Sequence, residues 1–590
     1  MPILLAITNM VITVLASPIN DSERIERDGA EVTTLTSGQL NRLGAQDLQA
    51  ALRQVPGLTI SRYGAIGSFG GGQGGSVYIR GMGAGRPGGE ITTYQDGVPR
   101  KSGVWSHPLM DSIPMDFVEQ VDVFKNPQPG RFSDTFGAID AKSKRMHEDG
   151  YTGEAQIAAG RFNTLLTSGE GGVKDGAIDA YGGIAYKHSD GKREHSAATM
   201  KNAYAQVGAD LSEFERIAFI YQKTWSRVED PGDIRLASPS KERFDLDTDL
   251  YNIRFDTDRE WIKGFSLAYV EHGDIHWWKV PVSTSEITTW LNWGTRNRYE
   301  VNAWRNLWLT GAFDAAIEGG HSSARGRYQL FTPYLGARYD FELNDDWTLT
   351  PSAGAKYYHH SDFDNEFAPE GSITLSYQEH LDFYVNGSRQ MHYPGIFTKA
   401  PAFRVNNNLK AEKMDYVSTG TKLTISKALE FNTDIYHMEI KDRIENVKMQ
   451  YLNTGYLNAN GWESSLRYRP IDDVVIFGGL AYAYSPKRTT RLPKWSASAG
   501  VTWKICEHLE WTVDGQYLGA TYAYSNRQAA AVNSAELVKD AAIFNTRVEI
   551  PFEPVTFFVS VENFTNQKYA YYPGYPMPGT MFYLGAKLKF

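Results

Sequence analysis

The chain has one cysteine, Cys506, among 590 residues, so it holds no internal disulfide framework and no cysteine-based zinc cluster. It also lacks an apolar run long enough for a membrane-spanning helix, and its mean hydropathy of -0.42 excludes a helical membrane protein. A basic excess is missing too. The formal net charge is -9 and the pI near 5.9, which argues against nucleic acid as a partner because phosphate recognition needs a cationic footprint. No residue constellation points to covalent catalysis. What is abundant is Gly (55), Tyr (34), Phe (28) and Trp (14), with charged residues at only 22%, the composition of a large, aromatic-rich β protein. A transmembrane barrel is compatible with the polar average, because its strands spend every second residue on a polar lumen.

The final stretch, "TMFYLGAKLKF", has the period of such a strand. Phe582, Leu584, Ala586, Leu588 and Phe590 fall on one face, and Tyr583, Gly585, Lys587 and Lys589 on the other. An apolar face carried to the last residue implies a strand held in a sheet rather than a frayed end, as when a barrel closes its last strand onto its first. From about residue 150 onward the same pattern recurs, with aromatic-rich alternating segments such as "AIDAYGGIAYKHSDGK" and "FTPYLGARYDFELNDDWTLTPSAGAKYYHH" broken by Gly, Asn, Asp and Ser turns. Roughly 445 residues at about 20 per strand and half-loops predict about 22 strands, a size at which the lumen needs filling.

Residues 21–145 read differently. Helical stretches ("SGQLNRLGAQDLQAALRQVPG", with Ser37 as helix start) mix with short strands ("GSVYIRGMG", "EITTYQDGVP", "FVEQVDVFKN"), which describes a compact α+β module of a size to fill a lumen. Ahead of it, "MPILLAITNMVITVLASPIN" has an apolar core, and Val14-Leu15-Ala16 fits a cleavage site, but there is no basic n-region. At about 15 apolar residues it is too short to span a bilayer.

Several pieces of the N-terminal module resemble, in order, the plug of TonB-dependent outer-membrane receptors. These are "LGAQDLQAALRQVPGLTI" (43–60), "VYIRGMG" (77–83), "ITTYQDGVPRKSG" (91–103) and "VEQVDVFKNPQPGRFSDTFGAIDAKSKR" (118–145). Weaker echoes in "NNNLKAEKMDYVSTGTKL" (406–423), "IYHMEIKDRI" (435–444) and residues 561–590 extend the resemblance over essentially the whole chain. The sequence departs from the family's pattern at Asn126, at "GAIDAK" and at Thr580. The resemblance implies a 22-stranded antiparallel outer-membrane β-barrel (146–590) with an N-terminal α+β plug domain (21–145) in its lumen. It implies a monomeric, non-enzymatic importer that sits in outer-membrane lipid, takes a metal-chelate ligand from outside and draws its energy from TonB.

Residues 1–20 then have two readings, a signal remnant or a TonB box. "NMVITVLAS" (9–17) is similar to that box, and Met10, Val11, Ile12, Thr13 and Val14 suit it physically, since β-branched residues favour the extended backbone that β-augmentation by a partner strand requires. The family's pattern places ligand contacts in two plug loops. In "SRYGAIGSFGGGQGGS" (61–76) the candidates are Arg62, Tyr63 and Phe69, able to stack on or pair with a ligand. In "RKSGVWSHPLMDSIPM" (100–115) they are Arg100, Trp105, His107 and Met110, with Met115 adding a second thioether beside the imidazole as soft-metal donors.

In "YVEHGDIHWW", His272, Asp274 and His276 share one strand face. If Phe265, Leu267 and Tyr269 face lipid, the histidines face the lumen. This stretch is similar to the His-x-Met strand of copper-type receptors, but Trp278 stands where the methionine would be. "APAFRVNNNL" (400–409) lacks the histidine that haem receptors keep there, and His392 lies before it. Asp245, Asp247 and Asp249 share a face and are calcium candidates of the kind seen in cobalamin-type receptors, although lumen-facing acids explain them equally; no other cofactor is expected. The sequence therefore reads as an importer of a scarce metal complex, with a ferric siderophore-type chelate ahead of cobalamin or a copper species. A passive porin or adhesin barrel is the alternative class, and it needs neither plug nor TonB box.

Overall fold

The computed structural model describes residues 22–26, 29, 31–67, 75–83, 89–237, 239, 241–280, 284–378, 380–401, 403–426, 428–524 and 535–590. The TonB-box candidates Met10 to Val14, and Phe69, lie outside them.

The N-terminal module is built on a six-stranded sheet in the order Ser22–Ile25, Glu31–Thr36, Val118–Phe124, Gly137–Ser143, Ile91–Gln95, Val98–Pro99. Only the pairing of Ile91–Gln95 with Gly137–Ser143 is parallel. The "QDGV" turn joins its last two strands through Asp96 and Gly97, both at positive φ (52° and 82°), the backbone that a two-residue hairpin demands. Helix Ser37–Leu43 starts at the serine read as its beginning. Thr36 is its N-cap, and the Thr36 N–H donates to the Gln39 side chain at 2.5 Å, so a capping box fixes that boundary. Gly44 ends the helix in the left-handed region, and helix Leu48–Leu52 follows, capped by Asp47.

From Gly150–Gly160 to Met581–Lys589 the remaining long strands close a single antiparallel barrel of 22 staves, in which Phe341–Glu342 merely extends Arg325–Tyr339. The last strand pairs with the first from Tyr583↔Gly160 to Lys589↔Glu154, and Gly153 and Phe590 exchange backbone hydrogen bonds at 2.7 and 3.0 Å. The end of the chain is therefore structural. Its alternation separates two unlike environments, as the sequence implied, and the structure assigns them: Phe582 and Leu584 are 51% and 62% exposed on the outer wall, whereas Tyr583 and Lys587 are buried against the plug. Around the wall, outward positions carry Ile157, Ile184, Phe219, Leu335, Phe367 and Ile435, while inward ones carry Gln222, Asn252, Lys356, Gln390, Glu463 and Asn545. That inversion of the usual inside–outside rule is the signature of a wall between lipid and a polar lumen.

Long connections such as 393–411, 519–540 and 563–580 gather at one end, and short ones such as 472–473, 507–508 and 553–554 at the other. In membrane barrels the long loops lie outside and the short turns face the periplasm. Strands run from 8 residues (Val555–Glu562) to 22 (Gln450–Ile471). About 10 tilted residues cross the hydrocarbon, so the longest strands stand well clear of it. No helix among the described residues is long and apolar enough to cross a membrane, which leaves crossing by strands.

Candidate functional site

The plug sits inside the barrel because charged and amide side chains of its surface meet complementary groups all round the wall. Arg42 reaches Glu510 (2.7 Å), Gln54 reaches Asp514 (2.6 Å), Asp116 meets Lys187 (2.7 Å) and Glu90 meets Arg443 (2.5 Å). The densest contact is built on Arg80, held at φ 52° just after strand Val77–Ile79. Its guanidinium donates to Glu463 (2.7 Å), to the Tyr416 hydroxyl (2.7 Å) and to Asp434 (3.1 Å), and lies 3.9 Å from the centre of the Tyr436 ring. Lys125 joins Glu463 (2.6 Å) to Glu31 (3.0 Å). Glu31, Asp434 and Glu463 come close enough to one another to suggest a metal site, but Arg80 and Lys125 already lie among them. The cluster is an internal ion network joining three plug strands to the wall. Buried pairs of this kind add less to stability than their loss removes, because a lone buried charge is costly.

Above it, at the long-loop end, aromatic side chains form a packed floor. His360 stacks on Tyr393 (ring centres 4.7 Å apart) and meets Phe363 (4.8 Å) and Tyr328 (5.0 Å), while Phe403 and Phe397 pack on Tyr451 at 4.7 and 5.1 Å. His392 is hydrogen-bonded to Glu412 at 2.7 Å. Lys101 enters from the plug between Glu318 (2.8 Å) and Asp134 (3.4 Å). Burial alone would lower its ammonium pKa, but the two carboxylates outweigh burial and hold it above the usual range. A pocket of about 30 Å³ among Lys101, Asp134, Glu318, His360, His392 and Tyr393 has room for about one water and for nothing larger.

The structure disperses the sequence candidates. Arg62 is buried, donating to the Ala65 carbonyl and facing Asp47 at 3.4 Å, and Tyr63 lies 5.8 Å ring to ring from Tyr575 of the 563–580 loop. Arg100 is fully buried and spans to Glu271 (2.8 Å), Gln95 (3.2 Å) and Thr248 (3.5 Å), the geometry of a strut between plug and wall. Met110 belongs to the plug core. Trp105 is half-buried against the Val104, Ile396 and Phe403 cluster, and its indole N–H donates to Thr288 at 2.9 Å; His107 beside it is half-buried, its carbonyl accepting from Ser102. Replacing Trp105 and His107 together by alanine is therefore expected to cost about 2 kcal/mol of stability, from lost packing and the Thr288 bond. A melting curve reads that loss, and a ligand titration on the same sample reads separately whether either side chain also touches the cargo.

The reading of the histidine strand is reversed. Leu267, Tyr269, Glu271 and Ile275 are the inward residues, Leu267 and Tyr269 packing with Val98 of the plug, so His272, Asp274 and His276 face out from the barrel. The apolar residues face in because the plug, not lipid, covers them at this height. Asp245, Asp247 and Asp249 pair in register with His276, Asp274 and His272 on the same outer face. Their carboxylates are engaged by cations: Arg227 and Arg243 on Asp245 (3.0 and 3.1 Å) and Lys223 between Asp247 and Asp249. Sequence reading passed over His360, Tyr328, Phe363, Tyr393 and Glu318. One local signal exists, since "HHSDFDN" and "MHYPG" each place a histidine where a strand ends and a loop begins.

The family model described as TonB-dependent Receptor Plug Domain matches residues 25–138, and the one described as TonB dependent receptor-like, beta-barrel matches residues 141–564. Among solved structures, the apoprotein form of the FrpB iron transporter from Neisseria meningitidis is similar at TM-score 0.79 and 14% identity, over 96% of this chain and 100% of that one. The copper transporter OprC is similar at 0.78 and 13% (98% and 99% covered), and the siderophore receptor PirA from Acinetobacter baumannii at 0.77 and 12% (95% and 98%). At these identities the likeness establishes the fold.

Proposed function

Since the chain belongs to the TonB-dependent receptor family, we propose that it is an active importer of the bacterial outer membrane, driven by TonB, whose cargo is an anionic metal chelate of the ferric siderophore class. The barrel wall suits a lipid boundary, and the plug that fills it needs outside work to move. Reaching the long-loop end, the cargo meets the aromatic floor on one flank. On the other it meets the loop 485–494, and that loop is the observation that carries the cargo's charge.

In it Lys487, Arg488 and Lys494 are exposed, and Arg491 is buried, donating to the Tyr571 carbonyl at 2.6 Å. Each cation lies over a tyrosine: Lys487 over Tyr456 (5.1 Å), Arg488 over Tyr522 (3.5 Å), Arg491 over Tyr572 (3.7 Å) and Lys494 over Tyr482 (5.9 Å). Cation-bearing tyrosines form a surface for an anion with aryl groups. The opposite end of the barrel carries acidic turns, with Asp345, Asp346, Asp472, Asp473 and Glu553, so the acidity of the whole chain does not extend to the entrance. A copper reading gains nothing from His272 and His276, which face away from the lumen.

The test is titration of the purified receptor with ferric tris-catecholate, ferric tris-hydroxamate, cobalamin, haem and Cu²⁺. Tris-catecholate is expected to bind tightest, and Lys487→Glu, Arg488→Glu and Lys494→Glu combined should weaken it by at least about 1.4 kcal/mol, or tenfold, with a shallower salt dependence. Tight binding of cobalamin or the neutral hydroxamate, unchanged in the triple variant, would sink the anionic reading.

A further inference from the structure

Between the aromatic floor and the short-turn end the described residues do not fill the lumen uniformly. Two cavities of about 900 and 510 Å³ open toward the short turns, the first reaching from Glu213 and Asp258 up to Arg296 and Phe132, the second from Glu260 and Arg338 up to Gly130 and Arg131. On the other side of the same plug stretch, Asp134 lines the small pocket under the floor. One segment, residues 128–134 ("QPGRFSD"), thus has the entrance on one side and wide polar space on the other.

The wall grips this segment mainly by its backbone. Arg298 donates to the Gly130 carbonyl (3.2 Å), Arg296 to the Arg131 carbonyl, Lys356 to the Phe132 carbonyl (3.0 Å), and Gln390 to the carbonyls of Phe132 (3.2 Å) and Ser133. The Gly130 N–H donates to Glu370 (3.2 Å), and Ser133 donates to Asp314 (2.5 Å) and accepts from Thr332 (3.2 Å). These donors and acceptors come from six neighbouring strands, Thr284–Trp304 through Leu381–His392. Side chains that hold carbonyls are indifferent to the sequence they hold, and because the bonds are made separately by different strands, the segment can be released stepwise.

We propose that residues 128–134 are the partition of the transport path, and that cargo crosses along the wall of strands 284–392 when this segment leaves its wall bonds, with the rest of the plug remaining docked. Lys356 and Gln390 are then positioning residues that keep the path shut. The inference rests on the import reading for its meaning. Its first test, potassium current across the purified receptor in planar bilayers, uses neither cargo nor TonB, so the two fail separately.

Lys356→Met with Gln390→Leu, in a Cys506→Ser background, should raise the current about tenfold over the parent. Adding Ser133→Cys and Thr332→Cys, whose present oxygens lie 3.2 Å apart, should return the current to the parent level when oxidised and release it again with reductant. A control disulfide joins the opposite flank: a Cβ added at Gly44 would lie 3.9 Å from the Ser560 Cβ, and Gly44→Cys with Ser560→Cys should leave the current high in either redox state. An unchanged current in the latch variant overturns the proposal. So does a current that the 133–332 disulfide fails to close, or one that the 44–560 disulfide closes equally well. A second readout guards against a folding defect in the latch variant. With the latch residues intact, the oxidised 133–332 pair should retain binding of ferric tris-catecholate and lose its uptake by cells at least about tenfold, reversibly; uptake at the parent rate overturns the proposal as well.

Discussion

A receptor lacking residues 9–17, exported under an intact secretion signal, is expected to bind its cargo at the cell surface with unchanged affinity, within about 0.4 kcal/mol, and to import none of it. In the proposed function binding belongs to the long-loop end, whereas the deleted segment precedes, in sequence, the edge strand of the plug sheet. Ser22–Ile25 is the outermost strand of that sheet and pairs antiparallel with Glu31–Thr36, from Ser22↔Thr34 to Ile25↔Glu31. A partner that takes the upstream segment by β-augmentation and pulls will load this pairing first, then Glu31, which is tied to Lys125. Radiolabelled cargo uptake, compared with surface binding on the same cells, decides the matter. Import at the rate of the full-length receptor would remove energy coupling through this segment.

The second large effect concerns the ion network, and its sign depends on which charge is removed. Three carboxylates, Glu31, Asp434 and Glu463, face Arg80 and Lys125. Arg80→Leu leaves Lys125 alone against all three and should cost about 3–5 kcal/mol, the penalty for stranding buried charge. Asp434→Asn instead brings the charges into balance while keeping a side chain that can accept from Arg80, and is expected to change stability by less than about 1 kcal/mol. Melting of the purified receptor gives both values. Sensitivity of cells to an antibiotic too large for porins reports whether the Arg80 variant has also lost its seal. Equal losses in the two variants would mean that the network acts through packing and not through charge.

Much of this molecule was legible because a barrel strand repeats its pattern locally. Period-2 alternation identified the strands, their spacing predicted about 22 of them, and Phe582, Leu584, Leu588 and Phe590 were read as one face of the last strand, which the structure places on the outside. The "DGVP" and "VPG" landmarks marked turns whose backbone only a few residues tolerate, so the α+β module was also local information. Site residues fared differently. Arg62, Tyr63, Arg100 and Met110 were taken from loops expected to meet a ligand, yet each is buried in or against the plug.

The sequence by itself determined which stretches are strands, that two unlike environments flank them, and that an α+β module precedes the barrel. These follow from dihedral preferences and from residue i knowing residues i+1 and i+2. Only the tertiary structure decided which environment each face meets. Alternation is symmetric under exchange of inside and outside, and where the plug lies against the wall an apolar inner face is as stable as an apolar outer one. That is why Leu267 and Tyr269 point inward and His272 and His276 outward. The same holds for partners across the lumen: Arg80 and Glu463 stand 383 positions apart, and no local pattern announces a contact between a plug turn and a wall strand that only barrel closure brings within 2.7 Å.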